Sequence, residues 1–134
     1  MSATEPTILV IDDDPTIRLL LRAGLSKQGF HVREADGGPA GLAAFRAQRP
    51  DLVLIDVSMP DMDGFQVARA MEAESSPRRV PLVMLTASDD QDTRRKACEA
   101  GATSLLTKPF QVFSLASHLK QLLAERPGSW VESP

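Results

Sequence analysis

The sequence predicts an α/β domain built on a doubly wound, five-stranded parallel sheet with the pattern (βα)5. Two observations lead to this class. Five short segments have the length and composition of buried or half-buried strands, and each is followed by a segment with apolar residues at helical spacing. A strand that is followed each time by a helix returns to the sheet in the parallel direction, so helices cover both faces of the sheet.

The five predicted strands are runs of four or five residues: residues 8–11, 31–35, 52–55, 82–85 and 104–107. The first, third and fourth are continuous apolar runs, as expected of strands that are buried on both faces of a parallel sheet. The second is a mixed segment with fewer apolar residues, which is typical of an edge strand. We therefore place the second strand at an edge of the sheet.

The predicted helices begin at capping or turn residues. Asp14 and Pro15 form an N-cap and a first helical position, and Gly29 ends this first helix. Its buried face is predicted from the spacing i, i+3, i+4 and i+8 to contain Ile17, Leu20, Leu21 and Leu25. The other helices cover about residues 37–48, 64–74, 90–100 and 112–123. The domain then spans residues 1–125, and we expect residues 126–134 to form a C-terminal tail or linker.

The composition is that of one globular domain. The 134 residues are 43% hydrophobic and 25% charged, with a formal net charge of −3 and a pI of about 5.3. This balance argues against direct nucleic-acid binding, and no apolar run reaches membrane length. The single cysteine, Cys98, excludes an internal disulfide. We expect a cytoplasmic protein, with Cys98 buried or half-buried in a helix and with His31 and His118 at the surface or rim.

Side chains that can take part in chemistry, as acids, a hydroxyl or an amine, follow four of the five predicted strands. Strand one ends in Asp12 and Asp13, strand three in Asp56, strand four in Thr86 and strand five in Lys108. These groups share one edge of the sheet if the strand order is 2-1-3-4-5, the flavodoxin-like order. In such sheets, ligands bind outside the carboxyl ends of the strands, beside the switch point between strands one and three. The sequence therefore predicts a site at this edge.

The charges at this edge indicate a metal. Three carboxylates in one crevice repel one another, so cations must offset them. Lys108 supplies one positive charge, and a divalent metal is the natural second. Ligands that are all oxygen favour Mg²⁺ or Mn²⁺ over zinc. A metal, a lysine and the Thr86 hydroxyl around one free carboxylate suit the transfer of a phosphoryl group. Asp56 is then a nucleophile, a metal ligand or both, and a simple turn or capping role stays open for it.

Five short motifs lie at or beside these strand ends. They are Ile11-Asp12-Asp13-Asp14, Ile55-Asp56-Val57-Ser58-Met59-Pro60, Met62-Asp63-Gly64, Leu85-Thr86-Ala87 and Lys108-Pro109-Phe110. In this order and spacing, they resemble the receiver domain of bacterial two-component response regulators, of the kind found in chemotaxis regulators. The resemblance covers about residues 8–124, which is nearly the whole chain.

The resemblance implies a metal site and a phosphoacceptor. Asp56 would accept the phosphoryl group. Asp13 and Asp56 would bind Mg²⁺ directly, with Mn²⁺ as a possible substitute, and Asp12 would bind it through water. The backbone carbonyl of Ser58 would be the third protein ligand.

The resemblance also implies a switch. Thr86 and Ala87 would contact the phosphoryl group once it is present, and Lys108 would pair with it. The peptide bond before Pro109 would be cis. Members of the family often have an aromatic residue three positions before the lysine, and here Leu105 occupies this position. Leu105 is therefore the candidate for relaying the signal.

The partners implied by the resemblance are a sensor histidine kinase or a phosphotransfer protein. An output domain or a second copy would bind the face formed by the fourth helix, fifth strand and fifth helix, with Arg94, Arg95 and Leu105 on that face. The domain would not be an enzyme, since it would catalyse only its own phosphorylation and dephosphorylation.

Two other interpretations stay open. Asp12-Asp13-Asp14-Pro15-Thr16 also fits the nucleophile motif of haloacid-dehalogenase-like phosphatases, with Asp12 as nucleophile. Those enzymes need an acidic pair beyond the lysine, whereas only Glu125 and Glu132 follow Lys108, and Asp56 would have no role. The second interpretation is a receiver-like interaction module that is never phosphorylated. The complete set of site positions argues against it.

Overall fold

A five-stranded parallel sheet lies at the centre of the computed structural model, which describes residues 5–74 and 79–125. The strands are β1 (Thr7–Ile11), β2 (His31–Ala35), β3 (Leu52–Asp56), β4 (Leu82–Thr86) and β5 (Ser104–Thr107). Their order in the sheet is β2-β1-β3-β4-β5, and every neighbouring pair is parallel. The predicted topology is confirmed. The expected tail, residues 126–134, lies outside the described residues.

Five helices cover the two faces of the sheet. They are α1 (Pro15–Lys27), α2 (Gly38–Ala47), α3 (Gly64–Ala73), α4 (Gln91–Glu99) and α5 (Val112–Ala124). Buried side chains of α1 and α5 pack on one face, and those of α2, α3 and α4 pack on the other. Within the described ranges, no helix has both the length and the apolar character needed to cross a membrane.

Side-chain caps fix the start of three helices. Asp14 accepts a hydrogen bond from the Thr16 amide at 2.9 Å, and Asp90 accepts one from the Thr93 amide at 2.7 Å. Asp63 and Gln66 form a reciprocal capping box at the start of α3. Each cap lies in a loop that leaves the carboxyl end of a strand. The same loops that carry the polar residues of the sheet edge therefore also anchor the helices.

The prediction that Leu20 belongs to the buried face of α1 is wrong. Leu21 and Leu25 are fully buried, but Leu20 is 47% exposed. Helix α5 begins beside Gly24, where the side chain of Val112 approaches the backbone of α1. Leu20 lies one turn nearer the start of α1, so α5 does not extend far enough to cover it.

Gly64 is required where the loop after β3 turns into α3. A Cβ atom at this position would lie 2.4 Å from the backbone oxygen of Asp56 and 2.9 Å from the Cα atom of Val57. The Gly64 amide also donates a hydrogen bond to the Val57 carbonyl at 2.9 Å. The start of α3 is therefore held directly against the residue that ends the central strand.

This contact predicts that Gly64→Ala destabilises the fold. The added methyl group meets backbone rather than a flexible side chain, so we expect the free energy of unfolding to fall by about 2 kcal/mol or more. Gly37→Ala is the matched control, because among the described residues no heavy atom other than those of Gly37 and its chain neighbours lies within 4 Å of a Cβ at that position. Its cost should stay within about 1 kcal/mol. Urea unfolding of both variants measures the difference, and equal losses would contradict the assigned role of Gly64.

Candidate functional site

Three carboxylates meet at the carboxyl edge of the sheet. One oxygen each of Asp12, Asp13 and Asp56 lies within 4.8 Å of the others. The strands explain this, because β1 and β3 are neighbours in which Ile11 pairs with Ile55. The next residue of each strand therefore brings Asp12 beside Asp56. Asp12 is fully buried, Asp56 is 6% exposed, and Asp13 is exposed.

Lys108 completes this cluster from the other side of β4. Its Nζ atom lies 3.1 Å from Oδ2 of Asp12 and 3.3 Å from Oδ1 of Asp56. The Lys108 amide donates to the Thr86 carbonyl at 2.7 Å, which fixes the base of the side chain at the end of β4. The structure thus brings together four of the residues that the sequence placed at this edge.

Burial and charge set the protonation of the cluster. Burial raises the pKa of Asp56, and the nearby Asp12 carboxylate raises it further. Lys108 and the backbone amide of Ser58 act in the opposite direction on Asp56 without cancelling the rise. Burial opposes the charge of Lys108, yet its hydrogen bonds and charge pairing with Asp12 and Asp56 together raise the pKa of this ammonium group. The positive charge of Lys108 alone is therefore too little to offset the carboxylates of the cluster.

The donor set fits a divalent cation that prefers oxygen. Oδ1 of Asp12 accepts from the Asp14 amide at 2.9 Å, and Oδ2 accepts from Lys108. The exposed Asp13 carboxylate has no hydrogen-bond or ion-pair partner within the described part of the chain. It therefore presents its lone pairs beside Asp56. Carboxylate oxygens that keep access to water are the ligands that Mg²⁺ uses in proteins.

Thr86 is near the cluster, but its hydroxyl is engaged elsewhere. Oγ1 of Thr86 donates to the Ser88 carbonyl at 3.0 Å and accepts from the Ser88 amide at 3.2 Å. Oγ of Ser88 in turn lies 3.2 Å from Oδ2 of Asp90, the residue that caps α4. A chain of hydrogen bonds therefore links the end of β4 to the start of α4. Ala87 lies exposed in this loop.

The remaining predicted site residues lie in the loops around the cluster. Ser58 is exposed in the loop after β3, and its amide interacts with the Asp56 carboxylate. The peptide bond between Lys108 and Pro109 is cis. Ser58 and Pro109 thus lie within two residues of a member of the cluster.

Leu105 cannot contribute to a partner surface in this structure. It is 1% exposed and packs in the core on the α2, α3 and α4 side of the sheet, together with Ala97 of α4. Side chains alternate along a strand, so Leu105 points beneath α4 while Leu106 points to the opposite face. The expectation that Leu105 forms part of the partner face with Arg94 and Arg95 is wrong.

Two further expectations about single residues are also wrong. Cys98 is exposed, because α4 turns only Ala97 fully into the core and directs the residues beside it to solvent. His118 is 3% exposed, and its Nε2 atom lies 2.8 Å from the hydroxyl of buried Ser104. Burial lowers the pKa of His118. The pair joins α5 to β5 from inside the fold. His31 is exposed, as expected.

Sequence reasoning missed Arg18. Its Nη1 atom donates to the backbone oxygen of Asp12 at 2.6 Å, and its Nε atom lies 3.4 Å from Glu34. The signal that could have found it is a basic residue one turn into the helix that follows an acidic strand end. Periodicity identified α1 by its apolar residues and assigned no role to the charged ones.

The comparisons with known proteins agree on one family. The response regulator receiver domain family matches residues 8–120. The chain is 39% identical to the transcriptional regulatory protein GltR of Pseudomonas aeruginosa, over 92% of this chain and 51% of that protein. It is 38% identical to the response regulator PleD of Caulobacter vibrioides, over 86% of this chain and 25% of that protein. The chain therefore spans about half, or less, of the length of these relatives.

Solved structures of receivers have the same fold. The chemotaxis response regulator CheY4 of Vibrio cholerae superposes with a TM-score of 0.83 at 31% identity, over 88% of this chain and 98% of that chain. The signal receiver domain of a histidine kinase from Syntrophus aciditrophicus gives 0.81 at 33% identity, over 89% and 90%. Fold and sequence thus agree on one family.

The raised pKa of Asp56 predicts that Asp56→Asn stabilises the metal-free protein at neutral pH. A carboxyl with a raised pKa in the folded state costs stability as pH rises through that pKa, because the unfolded chain releases the proton more readily. We expect a gain of about 1 kcal/mol at pH 7. The gain should disappear as pH falls to about 4, the ordinary pKa of an aspartate.

Thermal unfolding in EDTA at the two pH values measures this effect. Asp36→Asn is the matched control, since it removes the same charge from an exposed position at the end of β2. A gain for Asp56→Asn that does not depend on pH, or an equal gain for both variants, would contradict the electrostatic explanation.

Proposed function

Because this chain belongs to the response regulator receiver domain family, we propose that it accepts a phosphoryl group on Asp56 in a reaction that requires Mg²⁺. The observation that carries this proposal is the cluster at the sheet edge, in which three carboxylates lie within 4.8 Å of one another and Lys108 contacts two of them. The rise in the pKa of Asp56 supports the need for a further cation.

The metal would be held by this chain's own oxygens. Asp13 and Asp56 would bind Mg²⁺ directly, together with the backbone carbonyl of Ser58, and Asp12 would bind through water. Mn²⁺ has the same preference for oxygen and could take its place. The bound ion would offset negative charge on the phosphoryl oxygens. Asp12 is already held by two hydrogen bonds to its carboxylate, which supports an indirect role for it.

The transfer itself needs little from the protein beyond position and charge. An oxygen of Asp56 attacks phosphorus as the bond from phosphorus to the donor breaks. The donor would be a phosphohistidine of a sensor histidine kinase or of a phosphotransfer protein. Lys108 pairs with the new phosphoryl oxygens, and water later hydrolyses the acyl phosphate. The domain would thus be a signalling module whose only catalysis is of its own modification.

A phosphatase that uses Asp12 as its nucleophile is not favoured. Asp12 is fully buried, and each of its carboxylate oxygens accepts a hydrogen bond. Asp56 is the more accessible carboxylate of the buried pair. A phosphodonor can therefore approach Asp56 more readily than Asp12.

The signal would leave the site through Thr86. A phosphoryl group on Asp56 offers its hydroxyl a charge-assisted hydrogen bond. Turning toward that group would break both hydrogen bonds to the Ser88 backbone. The loop that carries Asp90, the cap of α4, would then be free to rearrange. Leu105 would take part from inside the core, beneath α4, by filling the space that Thr86 leaves.

Helix α4 is suited to respond because little apolar surface holds it. Only Ala97 of the helix is fully buried, and ion pairs such as Asp92 with Arg95 lie exposed along its outer side. Elements with few buried apolar contacts open at low free-energy cost. On α4, an output domain or a second copy of the chain would therefore meet a polar, charged surface.

The proposal predicts phosphorylation of Asp56 by a small phosphodonor. After incubation with acetyl phosphate and Mg²⁺, intact mass should show one added phosphoryl group, and EDTA should prevent it. Asp56→Ala should remain unlabelled. Asp14→Ala is the control, because Asp14 lies in the same acidic run but serves as the cap of α1. Labelling of Asp56→Ala to the parent's level, or full labelling in EDTA, would refute the proposal.

The relay predicts where beryllofluoride, which mimics a phosphoryl group, changes the structure. Amide shifts should concentrate in α4, β5 and α5 as well as around Asp56. One charge-assisted hydrogen bond supplies roughly 1.5–3 kcal/mol, less than the 5.5 kcal/mol or so that a complete two-state switch needs. We therefore expect a partial response.

Thr86→Val removes the hydroxyl but keeps the shape of the side chain. The distant shifts should disappear in this variant, while those near Asp56 persist. Thr107→Val is the control, since Thr107 pairs with Thr86 in the sheet and is exposed. Shifts confined to the Asp56 loop in the parent would show that no relay exists. Large, all-or-none shifts that persist in Leu105→Ala would exclude that residue as the relay.

A further inference from the structure

We propose that Arg18 is a positioning residue for the metal site, because it fixes the peptide that joins Asp12 to Asp13. This inference rests on the proposed function, since it concerns the Mg²⁺ ligands assigned there. The contact that carries it is the hydrogen bond of 2.6 Å from Nη1 of Arg18 to the backbone oxygen of Asp12.

Arg18 is itself held in place. Its side chain is 18% exposed, and its Nε atom lies 3.4 Å from Glu34 at the end of β2. Arg22, one turn further along α1, pairs with the same carboxylate at 2.8 Å but is 52% exposed. Glu34 therefore pairs with two arginines. Of these two, only Arg18 also contacts the loop that begins with Asp12.

The other polar groups of Asp12 are already fixed. Its amide donates to the Ala35 carbonyl at 3.2 Å, and its two carboxylate oxygens accept from the Asp14 amide and from Lys108. The backbone oxygen is the remaining polar group of Asp12, and it accepts the hydrogen bond from Arg18. The hydrogen bond from Arg18 thus completes the restraint on the residue just before Asp13.

Asp13 depends on this restraint more than its neighbours do. Its carboxylate is exposed and has no partner within the described residues, so no side-chain contact orients it. The carbonyl of Asp12 and the amide of Asp13 belong to one planar peptide unit. Holding the carbonyl therefore sets the orientation of the backbone from which the Asp13 side chain extends.

The two roles that Arg18 could have, as a positive charge or as a positioning group, predict opposite effects on cation binding when Arg18 is replaced. If the guanidinium acted only through its positive charge, its removal would strengthen binding of a cation. If it positions Asp13, its removal should weaken binding. Arg18→Met and Arg22→Met each remove one positive charge and one partner of Glu34. Only Arg18→Met also removes the hydrogen-bond donor to the Asp12 carbonyl.

Binding of Mn²⁺ to the full chain, followed by electron paramagnetic resonance of the free ion, tests the inference directly. We expect Arg18→Met to weaken binding roughly tenfold, at the low end of the effect of outer-shell residues on metal sites. Arg22→Met should stay within about twofold of the parent. Arg18→Gln makes the same test with a polar side chain if Arg18→Met does not fold.

Phosphorylation by acetyl phosphate gives a second readout. In the Arg18 variants, the Mg²⁺ concentration for half-maximal rate should rise, while the rate at saturating Mg²⁺ stays near that of the parent. If Arg18 had only a structural role, its replacement would lower stability in EDTA but would not raise the Mg²⁺ concentration for half-maximal rate.

Two results would overturn the inference alone: Arg18 variants that bind Mn²⁺ as tightly as the parent or more tightly, or an equal loss in Arg22→Met. If the parent itself binds no Mn²⁺, the proposed metal site is wrong and this inference fails with it.

Discussion

The shortage of positive charge around Asp56 is the constraint on which the rest of the site depends. Asp12 and Asp56 lie side by side at the ends of β1 and β3, where burial makes two negative charges costly. Lys108 offsets part of this charge, and the pKa of Asp56 is still raised. Binding of the proposed divalent cation would offset this charge and would therefore stabilise the whole domain.

The sheet order makes this cluster possible. Because β4 separates β5 from β3, two strand spacings, roughly 10 Å, lie between the strand that precedes Lys108 and the strand that ends in Asp56. The Lys108 amide is bound to the Thr86 carbonyl at the end of β4, and the side chains of Lys108 and Asp56 meet across the end of that strand. The loops at this edge also start helices, since Asp14, Asp63 and Asp90 cap α1, α3 and α4. The starts of these three helices therefore lie at the same edge of the sheet as the carboxylates.

The sheet and the central cluster were predictable from sequence because both depend on position along strands. Apolar runs identified the strands. The polar residues that directly follow parallel strands lie at one edge of the sheet, however the helices pack on it. Side-chain environments on the helices were less predictable, because they depend on where a neighbouring element begins. Leu20 is exposed since α5 starts one turn too late to cover it. His118 is buried because Ser104 of β5 provides a polar partner inside the core, and no periodic pattern encodes that pairing.

A structure of the chain bound to Mg²⁺ and beryllofluoride tests the central claim most directly. We expect beryllium on a carboxylate oxygen of Asp56, with Lys108 and Thr86 at its fluorine atoms and the cation between Asp13 and Asp56. Beryllofluoride bound to Asp12, or a cation held away from these three carboxylates, would contradict that claim.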